Sequence, residues 1–147
     1  MPTPEKEFVF ALHDVARLFK TYADQRVSAL NMTRSQWAVL SRLERCEGAS
    51  QAELAQALDL APISLARLID KLADQGLVER RPDDHDRRIH RLYLTPAVAP
   101  VLKRLSALSR DVMAVALAGV APKDVAEMTG RLSHIKANLK AALSETV

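Results

Sequence analysis

Apolar residues that recur at alternating spacings of four and three predict a long helix near the start of the chain. Over residues 7–28 they are Phe8, Leu12, Val15, Phe19 and Tyr22. This spacing places all five side chains on one face of an α-helix, because successive helical residues are rotated by about 100°. The pattern therefore predicts an amphipathic helix.

Two capping boxes predict where the next two helices begin. Gln36 follows Thr33 by three residues, and Glu53 follows Ser50 in the same way. This arrangement satisfies the free backbone donors of a first helical turn. We expect the first of these helices to end before Gly48, since glycine readily takes the left-handed conformation at a helix end. The second box opens a short helix.

A further helix is predicted over residues 62–75. Pro62 suits its first position, where the missing N–H costs nothing, and Gly76 suits its end. The predicted buried stripe of this helix consists of Leu65, Leu68, Ile69 and Leu72. The tight turn that separates it from the short helix is typical of a helix-turn-helix.

A β-hairpin is predicted next. Residues 77–81 and 89–94 have the composition of strands, and residues 82–85 contain the proline and aspartates that favour a turn. Two long helices follow, over residues 95–118 and 122–143, and Pro100 either kinks the first of them or delays its start. The order of elements predicts a mainly α protein with a small β-hairpin wing, which is a winged helix-turn-helix.

Composition narrows the class of protein. The chain has 147 residues, of which 48% are apolar, and this suits one folded domain. It has no long apolar run and no basic segment leading into an apolar one, so we expect neither a membrane span nor a secretory leader. Its single cysteine, Cys46, cannot form an internal disulfide, which favours the cytoplasm. The formal net charge of +3 favours a polyanionic partner.

The helix over residues 62–75 carries a candidate DNA-reading face. Ser64, Arg67 and Lys71 lie on a stripe away from the buried one. The guanidinium of Arg67 suits a guanine edge, and the ammonium of Lys71 suits a phosphate. Basic residues on a helix usually form only a solvated face. The preceding short helix, the tight turn and the following hairpin together favour DNA recognition.

The start of this helix is a candidate phosphate site. Ala61 is a poor N-cap and Pro62 has no N–H, so the backbone N–H groups of Ile63 and Ser64 lack an obvious side-chain partner. A DNA phosphate can accept from such groups, because helix N-termini bind anions. The alternative is that water or Asp59 satisfies them.

The hairpin carries Asp86, Arg87 and Arg88 just past its predicted turn. An arginine at a hairpin tip can enter a narrow and electronegative minor groove, and a nearby carboxylate can hold its guanidinium in a fixed pose. We predict that Arg88 is the inserted residue and that Asp86 positions it. Residues 79–91 contain five arginines and four carboxylates. A solvated loop of compensated charges is therefore the alternative.

Several motifs together resemble the MarR family. They are RLIDKL at residues 67–72, GLVER at residues 76–80, DRR at residues 86–88 and LYLT at residues 92–95. The resemblance covers nearly the whole chain, and the segment around Trp37 and the DRR motif are similar to the SlyA branch.

The resemblance implies a homodimeric transcriptional regulator that binds double-stranded DNA at a pseudopalindromic operator. It places Ser64 and Arg67 toward the groove and assigns Asp86 and Arg88 to the D-x-R of the wing. It also implies release from DNA by a small aromatic or phenolic ligand. The apolar residues of the terminal helices exceed what one small core requires, which favours the same dimer. We expect one domain over residues 1–147, with dimerisation helices at residues 5–29 and 96–145 and a DNA-binding lobe at residues 33–95.

Other candidate residues carry weaker signals. Tyr22, Met32 and Trp37 are candidates for a ligand pocket, although aromatic residues at helical spacing are more often core. Cys46 is expected to be a packing residue, with a redox switch as the alternative. The four histidines lack metal-ligand spacing and no catalytic motif is present, so we expect no metal, no cofactor and no enzyme. The rival function is a winged helix that binds another protein and has no DNA target.

Overall fold

The computed structural model describes residues 1–145 and has the predicted order of elements. The helices are α1 (Pro4–Ser28), α2 (Arg34–Arg45), α3 (Gln51–Ala57), α4 (Pro62–Asp74), α5 (Ala99–Ala116) and α6 (Pro122–Ser144). The strands are β1 (Val78–Pro82) and β2 (His90–Leu94). The predicted fold class, mainly helical with a two-stranded wing, is confirmed. Among the described residues, no helix is long and apolar enough to cross a bilayer.

Hydrogen-bonded side chains set the starts of α1, α2 and α3. The Thr33 hydroxyl accepts from the N–H of Gln36 at 3.1 Å, and the Gln36 side chain accepts from the N–H of Thr33 at 3.0 Å. Ser50 and Glu53 form the same reciprocal pair at 3.1 and 3.2 Å. Both predicted capping boxes are therefore confirmed. Thr3 caps α1 in addition, so this helix begins before the first residue of its apolar pattern.

Two compact units make up the chain, Met1–Met113 and a second one that begins at Ala114. The core of the first unit contains α2, α3, α4 and the base of the wing. Leu65, Ile69 and Leu72 of α4 are buried as predicted, and Leu68 is half-buried. Leu92 of β2 is fully buried in the same core. The helix-turn-helix and the wing thus share one packed interior.

The end of α4 is a Schellman motif. Gly76 has φ +73°, and its N–H donates to the carbonyl of Ala73 at 2.9 Å. The N–H of Leu77 donates to the carbonyl of Leu72, also at 2.9 Å. This pair of bonds satisfies two of the last helical carbonyls and turns the chain into β1. The prediction that Gly76 ends this helix is confirmed.

The loop of the wing begins and ends one residue later than the predicted strand bounds imply. Pro82 belongs to β1 and pairs with His90, so the loop spans residues 83–89. The expectation of a turn at residues 82–85 is wrong in this respect. The N–H of Asp83 donates to the carbonyl of Ile89 at 2.9 Å and closes the loop. The carboxylate of Asp83 also accepts two backbone N–H groups inside the loop.

The helix after the wing does not begin at residue 95. A single 3₁₀ turn, Pro96–Val98, comes first, and α5 starts at Ala99 with Pro100 as its second residue. Proline is tolerated in the first turn of a helix and disrupts later turns. The delayed start is therefore the alternative that the chain adopts, and α5 ends at Ala116.

The apolar faces of two helices remain exposed. On α1, Phe8, Leu12, Val15 and Phe19 are all exposed, although they form one stripe. The 23 residues of α6 include none that is buried among the described residues. Its exposed apolar side chains are Met128, Leu132, Leu139 and Leu143. Exposed apolar stripes of this extent are unusual for a surface that remains in water.

Candidate nucleic-acid interface

The face of α4 opposite the core is polar except for one isoleucine. With the helical rotation of about 100° per residue, Ile63 and Arg67 lie opposite the stripe of Leu65, Ile69 and Leu72. Ile63 is 64% exposed. The side chains of Arg67 and Lys71 are exposed and make no ion pair with any residue of the described range 1–145. They are therefore available for a partner.

Among the residues that the structure describes, no side chain caps the first turn of α4. Ala61 is the N-cap residue and Pro62 occupies the first helical position. The suggestion that Asp59 caps this helix is wrong, because no side chain of residues 1–145 makes a cap hydrogen bond there. The backbone N–H groups of Ile63 and Ser64 lie in this uncapped turn.

At the tip of the wing, Asp86 holds Arg88. The two carboxylate oxygens of Asp86 accept from Nε and Nη2 of Arg88, both at 3.0 Å, and one of them also accepts from the Arg88 backbone N–H at 3.0 Å. The hydrogen bonds with the Arg88 side chain lower the pKa of Asp86, and the same contact raises the pKa of Arg88. The Arg88 side chain is 90% exposed. The guanidinium is therefore oriented and still reachable by a partner.

Three other wing arginines have structural roles. Arg80 Nε donates to the side-chain oxygen of Gln51 at 2.6 Å, and Arg80 Nη2 donates to Asp70 Oδ1 at 2.6 Å. These bonds join β1 to α3 and α4. The guanidinium of Arg81 lies 4.0 Å from the ring centroid of Tyr93, which is cation–π geometry. Arg91, the third, pairs with Asp83.

The carboxylate of Asp83 accepts three hydrogen bonds at the base of the loop. Its Oδ1 accepts from Arg91 Nε at 2.5 Å, and its Oδ2 accepts from the N–H groups of His85 and Asp86 at 3.0 and 3.1 Å. Arg91 Nη1 donates to the carbonyl of Gly48 at 3.0 Å. The hydrogen bond from Arg91, followed by that from the His85 N–H, lowers the pKa of Asp83 from 3.8 to about 2.

Sequence reasoning missed the roles of Asp83, Arg80 and Arg91. An aspartate followed by turn residues is a signal for a side chain that binds its own backbone two residues on, and this signal points to Asp83. No sequence signal pairs Arg91 with Asp83, or Arg80 with Asp70. Arg87, in contrast, is exposed and forms no ion pair in the part of the chain that the structure describes.

Trp37 lines two cavities of the first unit. The larger, of about 510 Å³, is lined by residues of α2 and α5 and contains the side chains of Ser41, Arg42 and Arg45. The smaller, of about 300 Å³, is mostly apolar and includes Phe19. Tyr22 and Met32, the other two candidate ligand residues, do not line these two cavities and pack against the core.

The remaining reactive side chains have ordinary surroundings. The thiol of Cys46 donates to the carbonyl of Arg42 at 2.9 Å, and the residue packs against the core. Within residues 1–145, no three His, Cys, Asp or Glu side chains are grouped so that they could hold a metal ion.

The chain is similar to known transcriptional regulators. A model described as "MarR family" matches residues 30–89. The transcriptional regulator PA3341 is 32% identical, with a TM-score of 0.82 over 91% of this chain and 98% of that chain. A MarR transcriptional regulator from Methanosarcina mazei Go1 is 27% identical, with a TM-score of 0.82 over 92% and 99%.

A further similar structure is a mutant MarR from E. coli complexed with operator DNA. It is 23% identical, with a TM-score of 0.76 over 88% of this chain and 93% of that chain. At this level of identity the likeness shows the fold alone. The similarity to the SlyA branch stays a prediction.

Proposed function

Because this chain belongs to the MarR family of transcriptional regulators, we propose that it regulates transcription as a homodimer bound to a pseudopalindromic operator in double-stranded DNA. In this proposal α4 of each subunit enters a major groove and the wing reaches the flanking minor groove. The two recognition helices are then spaced by about one turn of duplex, roughly 10 bp. The similar E. coli MarR, which was solved with operator DNA, supports DNA as the partner.

The Asp86–Arg88 fork is the observation that carries the proposal. A guanidinium fixed by a carboxylate and 90% exposed loses little freedom when it binds. The minor groove of an A·T-rich step is narrow and strongly negative, and it attracts such a cation. Arg88 is therefore the inserted residue, Asp86 is its positioner, and Arg87 is close enough in sequence to meet an adjacent phosphate.

The exposed face of α4 supplies base recognition. Arg67 has the fork of donors that suits O6 and N7 of guanine, and Lys71 suits a phosphate. Ile63 is an exposed aliphatic side chain on this face and suits the methyl group of thymine. In the uncapped first turn, the N–H groups of Ile63 and Ser64 bind a DNA phosphate, and Pro62 brings the helix end close to it.

A second copy of the chain is the proposed cover for the exposed apolar stripes of α1 and α6. Phe8, Leu12, Val15 and Phe19 on α1 have the spacing of a helix–helix contact and yet are exposed. The described part of α6 buries no residue. Closed two-fold assembly is the commonest way for a soluble protein to cover such faces. A dimer also presents two copies of α4 to a pseudopalindrome.

The larger cavity is the proposed site of a small aromatic or phenolic acid. Trp37 offers a ring for stacking, and Arg42 and Arg45 offer positive charge for a carboxylate or phenolate. Its volume of about 510 Å³ lies in the range of small-molecule sites. Tyr22 and Met32, which pack against the core and do not line this cavity, are then core residues rather than ligand contacts.

The proposal is tested by selecting DNA from random oligonucleotides with the full-length protein and measuring affinity against salt. We expect a pseudopalindromic consensus and an affinity that falls steeply as salt rises, because phosphate contacts release counterions. Light scattering measures the mass in the same buffer, and we expect twice that of the chain. A folded dimer that enriches no sequence and binds no DNA at low salt would favour the rival, a protein-interaction module.

The ligand proposal is tested by measuring the shift in melting temperature with a series of aromatic acids. The same acids are then added to the complex with the selected operator, and release of the DNA is measured. We expect stabilisation by at least one acid in the wild type and a reduced effect in Trp37→Phe and Arg45→Gln. Arg131→Gln is the matched control, because this exposed arginine pairs with Glu127 on α6 and lines neither cavity. Equal shifts in all variants would remove the cavity from the proposal.

A further inference from the structure

A continuous series of hydrogen bonds runs from the loop between α2 and α3 to the guanidinium of Arg88. The series passes from Gly48 through Arg91, Asp83 and Asp86 to Arg88. We propose that Asp83 and Arg91 are positioning residues that set the pose of Arg88 for the minor groove. This inference rests on the proposed function, because it assumes that Arg88 meets DNA.

The inner end of the series is firmly anchored. Besides the bond from Arg91 to its carbonyl, Gly48 donates its N–H to the carbonyl of Leu92 at 2.8 Å. The N–H of Leu92 donates to the carbonyl of Ala49 at 2.9 Å, and Leu92 itself is fully buried. Since these two bonds attach β2 to the loop at Leu92, the residue next to Arg91, the backbone from which the Arg91 side chain extends is held in place.

The outer end depends on the carboxylate of Asp83. This group is the acceptor for the N–H groups of His85 and Asp86, which lie in the part of the loop that has no strand partner. The Asp83 side chain is only 11% exposed, whereas that of Arg88 is 90% exposed. Asp83 therefore connects the packed base of the wing to its solvated tip. Asp83 holds the backbone of Asp86, and the carboxylate of Asp86 in turn orients the guanidinium of Arg88.

Positioning affects affinity because a free arginine side chain loses rotamer freedom when it enters a groove. Ordering one long side chain costs an amount that corresponds to about a 2- to 10-fold loss of affinity. We expect loss of the Asp83–Arg91 contact to weaken binding to operators with A·T-rich flanks by about this factor. Binding to operators with G·C-rich flanks, which have a wider minor groove, should change less.

The experiment compares Asp83→Asn with Asp84→Asn in the full-length protein. Both variants remove one negative charge from the same loop. The Asp84 side chain is exposed and makes no hydrogen bond or ion pair with residues 1–145, so its variant reports the charge effect alone. Affinity is measured for one consensus with A·T flanks and one with G·C flanks. We expect the preference for A·T flanks to fall about 2- to 10-fold in Asp83→Asn and to persist in Asp84→Asn.

A double-mutant cycle with Arg88→Ala separates positioning from general damage. If Asp83 acts through Arg88, Asp83→Asn has no further effect on flank preference in the Arg88→Ala background. An equal loss in both backgrounds, or an equal effect of Asp84→Asn, overturns the inference. Arg91→Lys is a second variant in case Asp83→Asn folds poorly. It keeps the charge but has no fork to bond Asp83 and Gly48 together, and we expect it to reduce the same preference.

A readout without DNA distinguishes this inference from the proposed function. The NMR signal of Arg88 Nε–H should be protected from exchange in the wild type and in Asp84→Asn, and should lose protection in Asp83→Asn. Unchanged protection in Asp83→Asn overturns the positioning role whatever the protein binds. A third result is that protection is lost in Asp83→Asn but the protein binds no DNA. Asp83 then still positions Arg88, but Arg88 does not enter a minor groove and the proposed function is wrong.

Discussion

Removal of thymine methyl groups from the operator tests whether Ile63 faces the bases. Uracil differs from thymine in the major groove only by the absence of the C5 methyl group. Ile63 is 64% exposed in the free protein, so most of its surface is available to cover such a methyl. Burying one methyl group is worth about 0.8 kcal/mol, which is about a fourfold change in affinity per half-site. Both half-sites of a dimer together give about 16-fold.

The assay replaces one symmetric pair of thymines at a time by uracil in the selected operator. We expect one pair in the major groove to weaken wild-type binding by about 16-fold and to have little effect on Ile63→Ala. Uracil placed in the flanking sequence is the control, and it shows whether uracil weakens binding wherever it lies in the DNA. Since Ile63 is largely exposed, thermal unfolding of Ile63→Ala should be close to that of the wild type, which separates contact from folding.

Two results would show that Ile63 does not cover a thymine methyl group. If Ile63→Ala is as sensitive to uracil as the wild type, another side chain covers the methyl. If no thymine pair affects the wild type, the first turn of α4 does not face thymine in the major groove. In either case the placement of Ile63 in the proposed interface is wrong, although Arg67 and Arg88 keep their separate tests.

The remaining predictions concern recognition, pH and backbone strain. Arg67→Ala should weaken operator binding by about 1–3 kcal/mol and relax one base pair of the selected consensus; an unchanged consensus would remove Arg67 from the bases. The pKa of Asp83 is lowered to about 2, so its contribution to stability should be complete above pH 3.8 and disappear as the pH falls through 2; a carboxyl NMR titration with its midpoint near 3.8 would contradict this. In a denaturant titration, Gly76→Ala should destabilise the fold by about 1–2 kcal/mol, because an L-residue is strained at φ +73°. The cost should not be larger, since apart from Gly76 and its two chain neighbours no atom of the described residues lies within 4 Å of the added Cβ. Gly130→Ala, in the regular helix α6, should stabilise it by about 1 kcal/mol in the same denaturant titration.

Local signals in the sequence predicted most of the helical framework. A capping box spans four residues, and the boxes at Thr33 and Ser50 are both present. Asp86 and Arg88 are two residues apart, and their predicted contact is also present. These features depend on distances that the backbone sets within one turn, so the rest of the fold is not needed to infer them.

The loop of the wing and the start of α5 were predicted less well. Both regions contain prolines, and composition alone allows Pro82 to end a strand or to open a turn. The bond from the Asp83 N–H to the Ile89 carbonyl decides for the strand. Likewise, the 3₁₀ turn before Ala99 is one of two outcomes that Pro100 permits.

Local sequence patterns were enough to predict the order of elements, the caps of α2 and α3 and the apolar faces of α1 and α6. The sequence also indicated Arg88 as the wing arginine that enters the minor groove, but it gave no role to Arg80, Arg81 or Arg91. Only the packed fold brings Arg80 to Asp70 on α4 and sets Arg91 between Asp83 and Gly48, whereas Arg87 and Arg88 are both exposed in the loop. These contacts depend on distances between elements far apart in sequence. Such distances are set by how Leu92 and the α4 stripe pack into one core.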